Sequence, residues 1–191
     1  MKCPPKADPP LAEKTMIEIY SSGEAVFNGK KYRCAIGKNG VAEDRVEGDG
    51  KTPLGCFEIR KVLYRKDKIE KLQTVLLVEE ISENDTWCDD VKDKNYNSLI
   101  KLPYNASHEK LWRDDDLYDI IAVLGYNDKP VIAGKGSAIF MHIAGQNYSP
   151  TAGCIAFSKA DLLEILKNCD KNTLVCIFGE EYVGSTHASG A

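Results

Sequence analysis

The chain has 191 residues, of which 43% are hydrophobic and 28% are charged, and its formal net charge is −4. This size and composition predict one globular domain with a substantial core. The interspersed charges and acidic balance argue against nucleic-acid binding, which usually needs a basic face. The sequence has no run of 18 apolar residues, so we expect no membrane span.

Both ends of the chain are predicted to lie outside the domain. Residues 1–15 hold four prolines in the first ten positions and lack the apolar stretch of a secretory signal, which predicts an extended N-terminal tether. Residues 16–179 are predicted to form the domain, and residues 180–191 a flexible tail. Such a start fits either a cytosolic chain or an exported one whose signal has been removed.

Short segments rich in Val, Ile, Leu and Tyr, separated by Gly and Asn turns, dominate the domain. Strands are predicted at residues 16–20, 25–28, 31–36, 56–64, 74–79, 117–126, 137–144 and 174–178. Because these strands do not alternate regularly with helices, they predict a mainly β fold, a β-sandwich or a related sheet.

Helices are expected to be few. Ser158 and Asp161 resemble a capping box before an apolar run, which predicts a helix ending near Asn168. A second short helix is predicted near residues 107–114. Residues 81–101 are polar and without a clear period, so they are predicted to form a long loop, and loops of that length are often functional.

Seven cysteines make an odd set, so at least one thiol is free or pairs between chains. Cys34 and Cys176 lie in apolar strand-like runs, where we interpret them as small buried hydrophobes. No cysteine or histidine spacing is typical of a metal site. Cys154 is the thiol most expected to be free, and the pairing of the others is not readable from sequence.

Residues 142–157, HIAGQNYSPTAGCIAF, carry the strongest chemical signal. A thiol nucleophile needs a base, exposure, and N–H donors near the developing oxyanion. His142 supplies a base, and the turn at Thr151 and Gly153 supplies the approach for Cys154. In the preceding strand, alternation puts His142 on the face opposite the aliphatic residues, so the nine-residue connection can return the thiol to the imidazole.

A second segment, GDGKTPLGCF at residues 48–57, completes a resemblance. This segment, MHIAG and PTAGCIA, in that order, are similar to the L,D-transpeptidase (YkuD-type) catalytic domain, in its compact subgroup with a PTAGC turn. The resemblance spans roughly residues 16–178. It implies an L,D-transpeptidase-type β-sandwich with one or two short helices and a long inserted loop. It also implies Cys154 as nucleophile, His142 as base, and Thr151 and Gly153 as the oxyanion turn.

The sequence departs from the family pattern at two positions, one near Cys154 and one beside His142. Ala156 occupies the position of a usual arginine, and Ile143 replaces the usual glycine after the histidine. The insertion at residues 87–126 offers candidates for substrate contact, which are equally explained as loop packing or solvated acids. They are Trp87, Asp89, Asp90, Tyr96, Asn97, His108, Glu109 and Trp112.

The resemblance implies a peptidoglycan L,D-transpeptidase that cross-links stem peptides through a cysteine thioester, in 3-3 or 1-3 linkage. It implies no metal or organic cofactor, peptidoglycan stem peptides as partners, and a periplasmic or wall-associated location. Three alternatives stay open: an L,D-carboxypeptidase on the same residues, a non-catalytic wall-binding module, and a cytosolic thiol hydrolase. The oligomeric state is not readable from the sequence.

Overall fold

The computed structural model describes residues 15–179. Apart from Thr15, the predicted tether and tail lie outside these residues. The strands are β1 Met16–Tyr20, β2 Glu24–Phe27, β3 Lys30–Ala35, β4 Val41–Ala42, β5 Thr52–Pro53, β6 Gly55–Tyr64, β7 Val78–Glu80, β8 Asp85–Cys88, β9 Ser98–Lys101, β10 His108–Lys110, β11 Ile120–Leu124, β12 Phe140–Ile143, β13 Ile155–Phe157 and β14 Leu174–Phe178. One α-helix, α1, spans Lys159–Asn168, and Gln146–Tyr148 form a 3₁₀ turn. Within this range no helix is both long and apolar enough to cross a bilayer.

The predicted mainly β fold is confirmed, but its main sheet, of nine strands, closes on itself instead of forming the two facing sheets of a sandwich. Neighbours run in the order β11-β12-β13-β3-β2-β1-β14-β6-β7, and β6 also pairs with β11. Closure follows from the length of β6, which has ten residues. Its first part, residues 55–58, pairs with β14, and residues 59–64 pair with β11. A closed sheet has no exposed edge between these eight strands.

The core lies inside the closed sheet and beneath α1. Alternate residues of the strands point inward, among them Ile17, Ile19 and Phe27, all essentially unexposed. Helix α1 covers one side with Leu162 and Ile165, which belong to the same cluster. The helix begins and ends at the predicted residues, and its start is fixed by the Ser158 hydroxyl, which accepts the Asp161 N–H at 3.1 Å as an N-cap.

The insertion has more structure than the sequence indicated. Strands β8, β9 and β10 form a three-stranded sheet, so the long loop predicted at 81–101 is wrong in part and the helix predicted near 107–114 is wrong. All four residues of β8 are buried, so no polar alternation marks it as a strand. The polar residues of β10 suit a helix, and its pairing with β8 overrides that propensity.

A disulfide joins Cys56 to Cys176, which face each other across β6 and β14. The interpretation of Cys176 as a free buried hydrophobe is therefore wrong, because its partner lies on a strand that the sequence does not show to be adjacent. Cys34, Cys88, Cys154 and Cys169 are free and buried in the described range. A buried free thiol agrees with the interpretation of Cys34.

Reduction of this disulfide should destabilise the protein. The bond closes a loop with a sequence separation of 120 residues, so its loss should lower the unfolding free energy by about 2–4 kcal/mol. Urea denaturation with and without reductant measures the change. The Cys56→Ser variant is the control, since reductant should not move its midpoint; equal midpoints for the parent protein would contradict the assignment.

Candidate functional site

His142 and Cys154 line one cavity of about 590 Å³. Pairing between β12 and β13 brings them there. The two strands run parallel, with Met141 opposite Ile155 and His142 opposite Ala156. Cys154 directly precedes β13 and therefore lies beside Phe140, on the sheet face that His142 shares. The structure therefore confirms the prediction that the connection returns the thiol to the strand that carries the histidine.

The two faces of β12 divide as the alternation predicts. Ile139, Met141 and Ile143 belong to the main core inside the closed sheet. Phe140 and Cys154 belong to a second apolar cluster, which the insertion covers with Trp87 among others. The Trp87 ring packs edge-on against Phe140, with centroids 5.1 Å apart. The insertion thus covers the sheet face that carries His142 and Cys154.

The expectation that the turn exposes the nucleophile is wrong for the substrate-free protein, because the insertion covers Cys154 and leaves it 7% exposed. Its Sγ donates a hydrogen bond to the Ala138 carbonyl at 3.1 Å, on the segment that leads into β12. Burial raises the pKa of the thiol from 9.0 to about 12, the nearby Glu109 carboxylate adds to the rise, and Arg45 opposes it. Without substrate, the group is therefore a neutral thiol at neutral pH.

The imidazole of His142 is 6% exposed and its tautomer follows from one contact. Nδ1 lies 2.8 Å from the Ile143 carbonyl. A carbonyl only accepts, so Nδ1 carries the proton and Nε2 keeps a lone pair. Burial lowers the pKa of His142 to about 4, so the ring is neutral. Tyr118 packs edge-on against it, with centroids 5.2 Å apart, which fixes the ring plane.

The turn before Cys154 requires both Thr151 and Gly153. The Thr151 hydroxyl donates to the Cys154 carbonyl at 2.6 Å and accepts the Gly153 N–H at 3.1 Å. Gly153 has φ +145, and a Cβ there would lie 2.7 Å from the Lys51 carbonyl oxygen. Only glycine allows this approach. The resemblance implies that this turn stabilises an oxyanion. In the structure without substrate, the Gly153 N–H donates to the Thr151 hydroxyl.

The GDGKTP segment is hydrogen-bonded to that turn through Thr52 and stabilises it. Thr52 is fully buried, its hydroxyl donates to the Gly153 carbonyl at 2.9 Å, and it accepts the Gly37 N–H at 2.8 Å. Asp49 organises its own loop by accepting from Arg45 and from backbone N–H groups. Burial pushes the pKa of Asp49 upward, but these hydrogen bonds outweigh it and lower the pKa overall.

Arg45 adds a buried cation beside the same turn. Its side chain is 2% exposed and pairs with Asp49 at 2.7 Å. A Cβ on Gly153 would lie 3.3 Å from its Nη2, which places the guanidinium next to the residue before Cys154. Its Nη1 is buried and has no hydrogen-bond partner within residues 15–179. No sequence pattern marks Arg45, because its proximity to Cys154 arises only from the fold.

Three of the predicted substrate contacts, Trp87, Asn97 and Tyr96, make hydrogen bonds within the domain. Trp87 donates to Asn97 Oδ1 at 2.9 Å, and the Ala138 N–H donates to the same oxygen at 3.0 Å. The Gly136 N–H donates to the Tyr96 hydroxyl at 3.0 Å. These residues therefore hold the segment whose carbonyl accepts from Cys154.

The remaining insertion candidates divide between the cavity and the exterior. Asp89, His108 and Glu109 line the cavity. Asp90 is not among its lining residues and accepts the Lys92 N–H at 2.9 Å, which stabilises a turn. Trp112 packs under the guanidinium of Arg65, 3.5 Å from its ring centre. Over the described residues, no group of three His, Cys, Asp or Glu side chains could hold a metal ion.

Comparison with known proteins places this arrangement in a family. The L,D-transpeptidase catalytic domain model, YkuD, matches residues 10–177. The chain belongs to the YkuD L,D-transpeptidase family. The resemblance of the three motifs is thereby confirmed. No curated protein matches the chain.

Several solved structures resemble this family member at low identity. The Ldtfm–avibactam carbamoyl enzyme is 15% identical with a TM-score of 0.43, over 90% of this chain and 51% of its own. An Enterococcus faecium L,D-transpeptidase mutant is 13% identical with a TM-score of 0.44, over 87% and 50%. The helical cell shape determining protein Pgp2 from Campylobacter jejuni is 15% identical with a TM-score of 0.41, over 87% and 47%. The chain thus spans about half the length of these proteins.

Thr52→Val should loosen the nucleophile turn. The change keeps the side-chain shape but leaves the buried Gly37 N–H and Gly153 carbonyl without partners, which should lower the unfolding free energy by about 2–4 kcal/mol. Urea denaturation measures the loss. Thr74→Val is the matched control, because the partly buried Thr74 hydroxyl accepts the Leu76 N–H two residues away and does not contact the nucleophile turn. Equally small losses of unfolding free energy in both variants would show that Thr52 does not stabilise the turn.

Alkylation should reveal the neutral thiol. Because burial raises the pKa of Cys154 to about 12, native Cys154 should react with iodoacetamide at pH 7.5 at least about tenfold more slowly than in urea. Peptide-resolved mass spectrometry follows this one cysteine over time. Faster alkylation in the native protein than in urea would mean that a thiolate is already formed.

Proposed function

We propose that this protein is a peptidoglycan L,D-transpeptidase that works through a Cys154 thioester. The observation that carries the proposal is the shared cavity of a neutral imidazole, with Nε2 unprotonated, and a neutral thiol on the same sheet face. The family match supports the reaction class. A thiol with a neighbouring base is the combination that acyl transfer needs.

The acylation half-reaction needs one base and one electrophile. As the Cys154 sulfur bonds to the carbonyl carbon of a stem peptide, its proton passes to His142 Nε2. The carbon–nitrogen bond then breaks, and His142 returns that proton to the departing amine. The acyl group remains on sulfur as a thioester. Arg45, which lowers the pKa of Cys154 against the effect of burial, favours the charge that develops during attack.

The second half-reaction decides between the proposed function and its first rival. An amine from another stem attacks the thioester and gives a cross-link, while water gives the shortened peptide of an L,D-carboxypeptidase. Both outcomes use Cys154 and His142, and both 3-3 and 1-3 linkages remain compatible with them. A non-catalytic wall-binding module would need neither residue.

A periplasmic or wall-associated location is part of the proposal. Peptidoglycan, the proposed substrate, lies outside the cytoplasm. The Cys56–Cys176 disulfide supports this location, since disulfides persist mainly in oxidising compartments. The same bond argues against the cytosolic thiol hydrolase.

Product analysis tests the reaction. With purified muropeptide monomers, the protein should form dimers, and mass spectrometry should detect the acyl group on the Cys154 peptide. Cys154→Ala should abolish both, while Cys169→Ala, which removes another buried free thiol, should retain both. Shortened monomers alone would identify the carboxypeptidase. Sacculus binding with no product from either variant or parent would identify the binding module.

A further inference from the structure

The insertion gives the Cys154 cavity two opposite charges close to each other. Glu109 lies on β10, Arg113 follows four residues later, and both line the cavity. Tyr118 connects them: its hydroxyl donates to Glu109, its ring lies under the Arg113 guanidinium, and its edge contacts His142. Glu109 and Arg113 therefore both contact Tyr118, which in turn packs against His142, the candidate base.

Glu109 keeps half of its carboxylate available. Oε1 accepts the Tyr118 hydroxyl at 2.5 Å, and Oε2 has no partner within residues 15–179. Burial raises the pKa of Glu109, while the Tyr118 hydrogen bond and the Arg113 charge oppose the rise. A carboxylate oxygen that lines a cavity open to solvent, without a donor of its own, is suited to an ammonium group.

Arg113 keeps one edge of its guanidinium available. Nε and Nη2 donate to Asp115 at 2.9 and 2.6 Å, and Nη1 makes no hydrogen bond to any described residue. Its charged centre lies 5.1 Å from the Tyr118 ring centre, which limits its movement. The side chain is 35% exposed, so a ligand in the cavity can reach it. A guanidinium edge of this kind binds a carboxylate.

We infer that Glu109 and Arg113 bind the acyl acceptor through the ammonium and carboxylate of one α-amino acid group. An α-amino acid carries these two charges on a single carbon, so its receptor must hold opposite charges side by side. The contact of Tyr118 with His142 brings the bound nitrogen to the base that the second half-reaction requires. This inference rests on the proposed function and specifies its acceptor.

The proton balance gives Glu109 a further use. Amide formation removes two protons from the ammonium as nitrogen bonds to the thioester carbon and the carbon–sulfur bond breaks. One proton returns to the Cys154 sulfur through His142. The other passes to the Glu109 carboxylate and then to water. No co-reactant beyond the acyl-enzyme and the amine is needed.

Two acceptors that differ only in the carboxylate test the inference. D-Alanine and ethylamine compete with water for the acyl-enzyme formed from one stem-peptide donor, and mass spectrometry gives the ratio of transfer to hydrolysis. The parent protein should transfer to D-alanine at least about tenfold better than to ethylamine. This comparison needs no variant, so it stands even where a substitution prevents folding.

Variants then separate the two charges. Glu109→Gln should lower transfer to both amines at least tenfold, while Arg113→Gln should lower transfer to D-alanine tenfold and leave ethylamine within about twofold. Transfer is read as its ratio to hydrolysis of the same acyl-enzyme, so any effect of either substitution on the rate of Cys154 acylation does not enter the comparison. Glu79→Gln and Arg60→Gln are the matched controls, since both side chains form ion pairs but neither lines the cavity.

The outcomes separate the two proposals. Equal transfer to both amines by the parent, unchanged transfer in Glu109→Gln, or unchanged selectivity in Arg113→Gln overturns the acceptor site while the acyl-enzyme keeps the proposed function. No acyl group on Cys154 with any donor overturns both.

Discussion

The candidate site depends on the parallel pairing of β12 with β13. This pairing puts Cys154 beside Phe140 and on the same face as His142, although a 3₁₀ turn and an irregular loop separate the two residues in sequence. The loop is itself anchored, because the Thr151 N–H donates to the Ile36 carbonyl and the Lys38 N–H donates to the Thr151 carbonyl, both at 2.9 Å. The closed sheet, rather than a hydrogen bond between the two side chains, therefore fixes the relative position of thiol and imidazole.

Burial sets the chemistry of this pair. It raises the pKa of Cys154 and lowers that of His142, so both groups are neutral before substrate binds. In the proposed mechanism, charge appears only during attack, and the buried Arg45 and the glycine turn lie beside it. A neutral pair differs from the thiolate–imidazolium pair of many cysteine enzymes, and it protects a buried thiol from oxidation because oxidants react with thiolates.

The sequence predicted those parts of the fold and site that local patterns record. The long strands, the capped helix and the His–Cys turn all carry local signals of alternation, capping or glycine. Strands β4, β5 and β13 have only two or three residues, too few to show a period. Fully buried β8 shows no alternation, and the pairing of Cys176 depends on which strands are neighbours.

The roles of the insertion residues were the hardest to predict. Tyr96 and Asn97 were predicted as candidates for substrate contact, and the structure shows that they hold the segment at Gly136 and Ala138. Arg45 and Arg113 carry no motif, and only the fold brings them to the cavity. Local sequence reports propensity and turns, whereas these contacts are made between segments far apart in the chain.

The acylation rate of Cys154 in the His142→Ala variant tests the central claim most directly. A stem-peptide donor is mixed with excess enzyme, and intact-protein mass spectrometry follows thioester formation, with circular dichroism confirming the fold. General-base activation predicts a rate at least about a hundredfold below that of the parent. An unchanged rate in a folded variant would contradict the account.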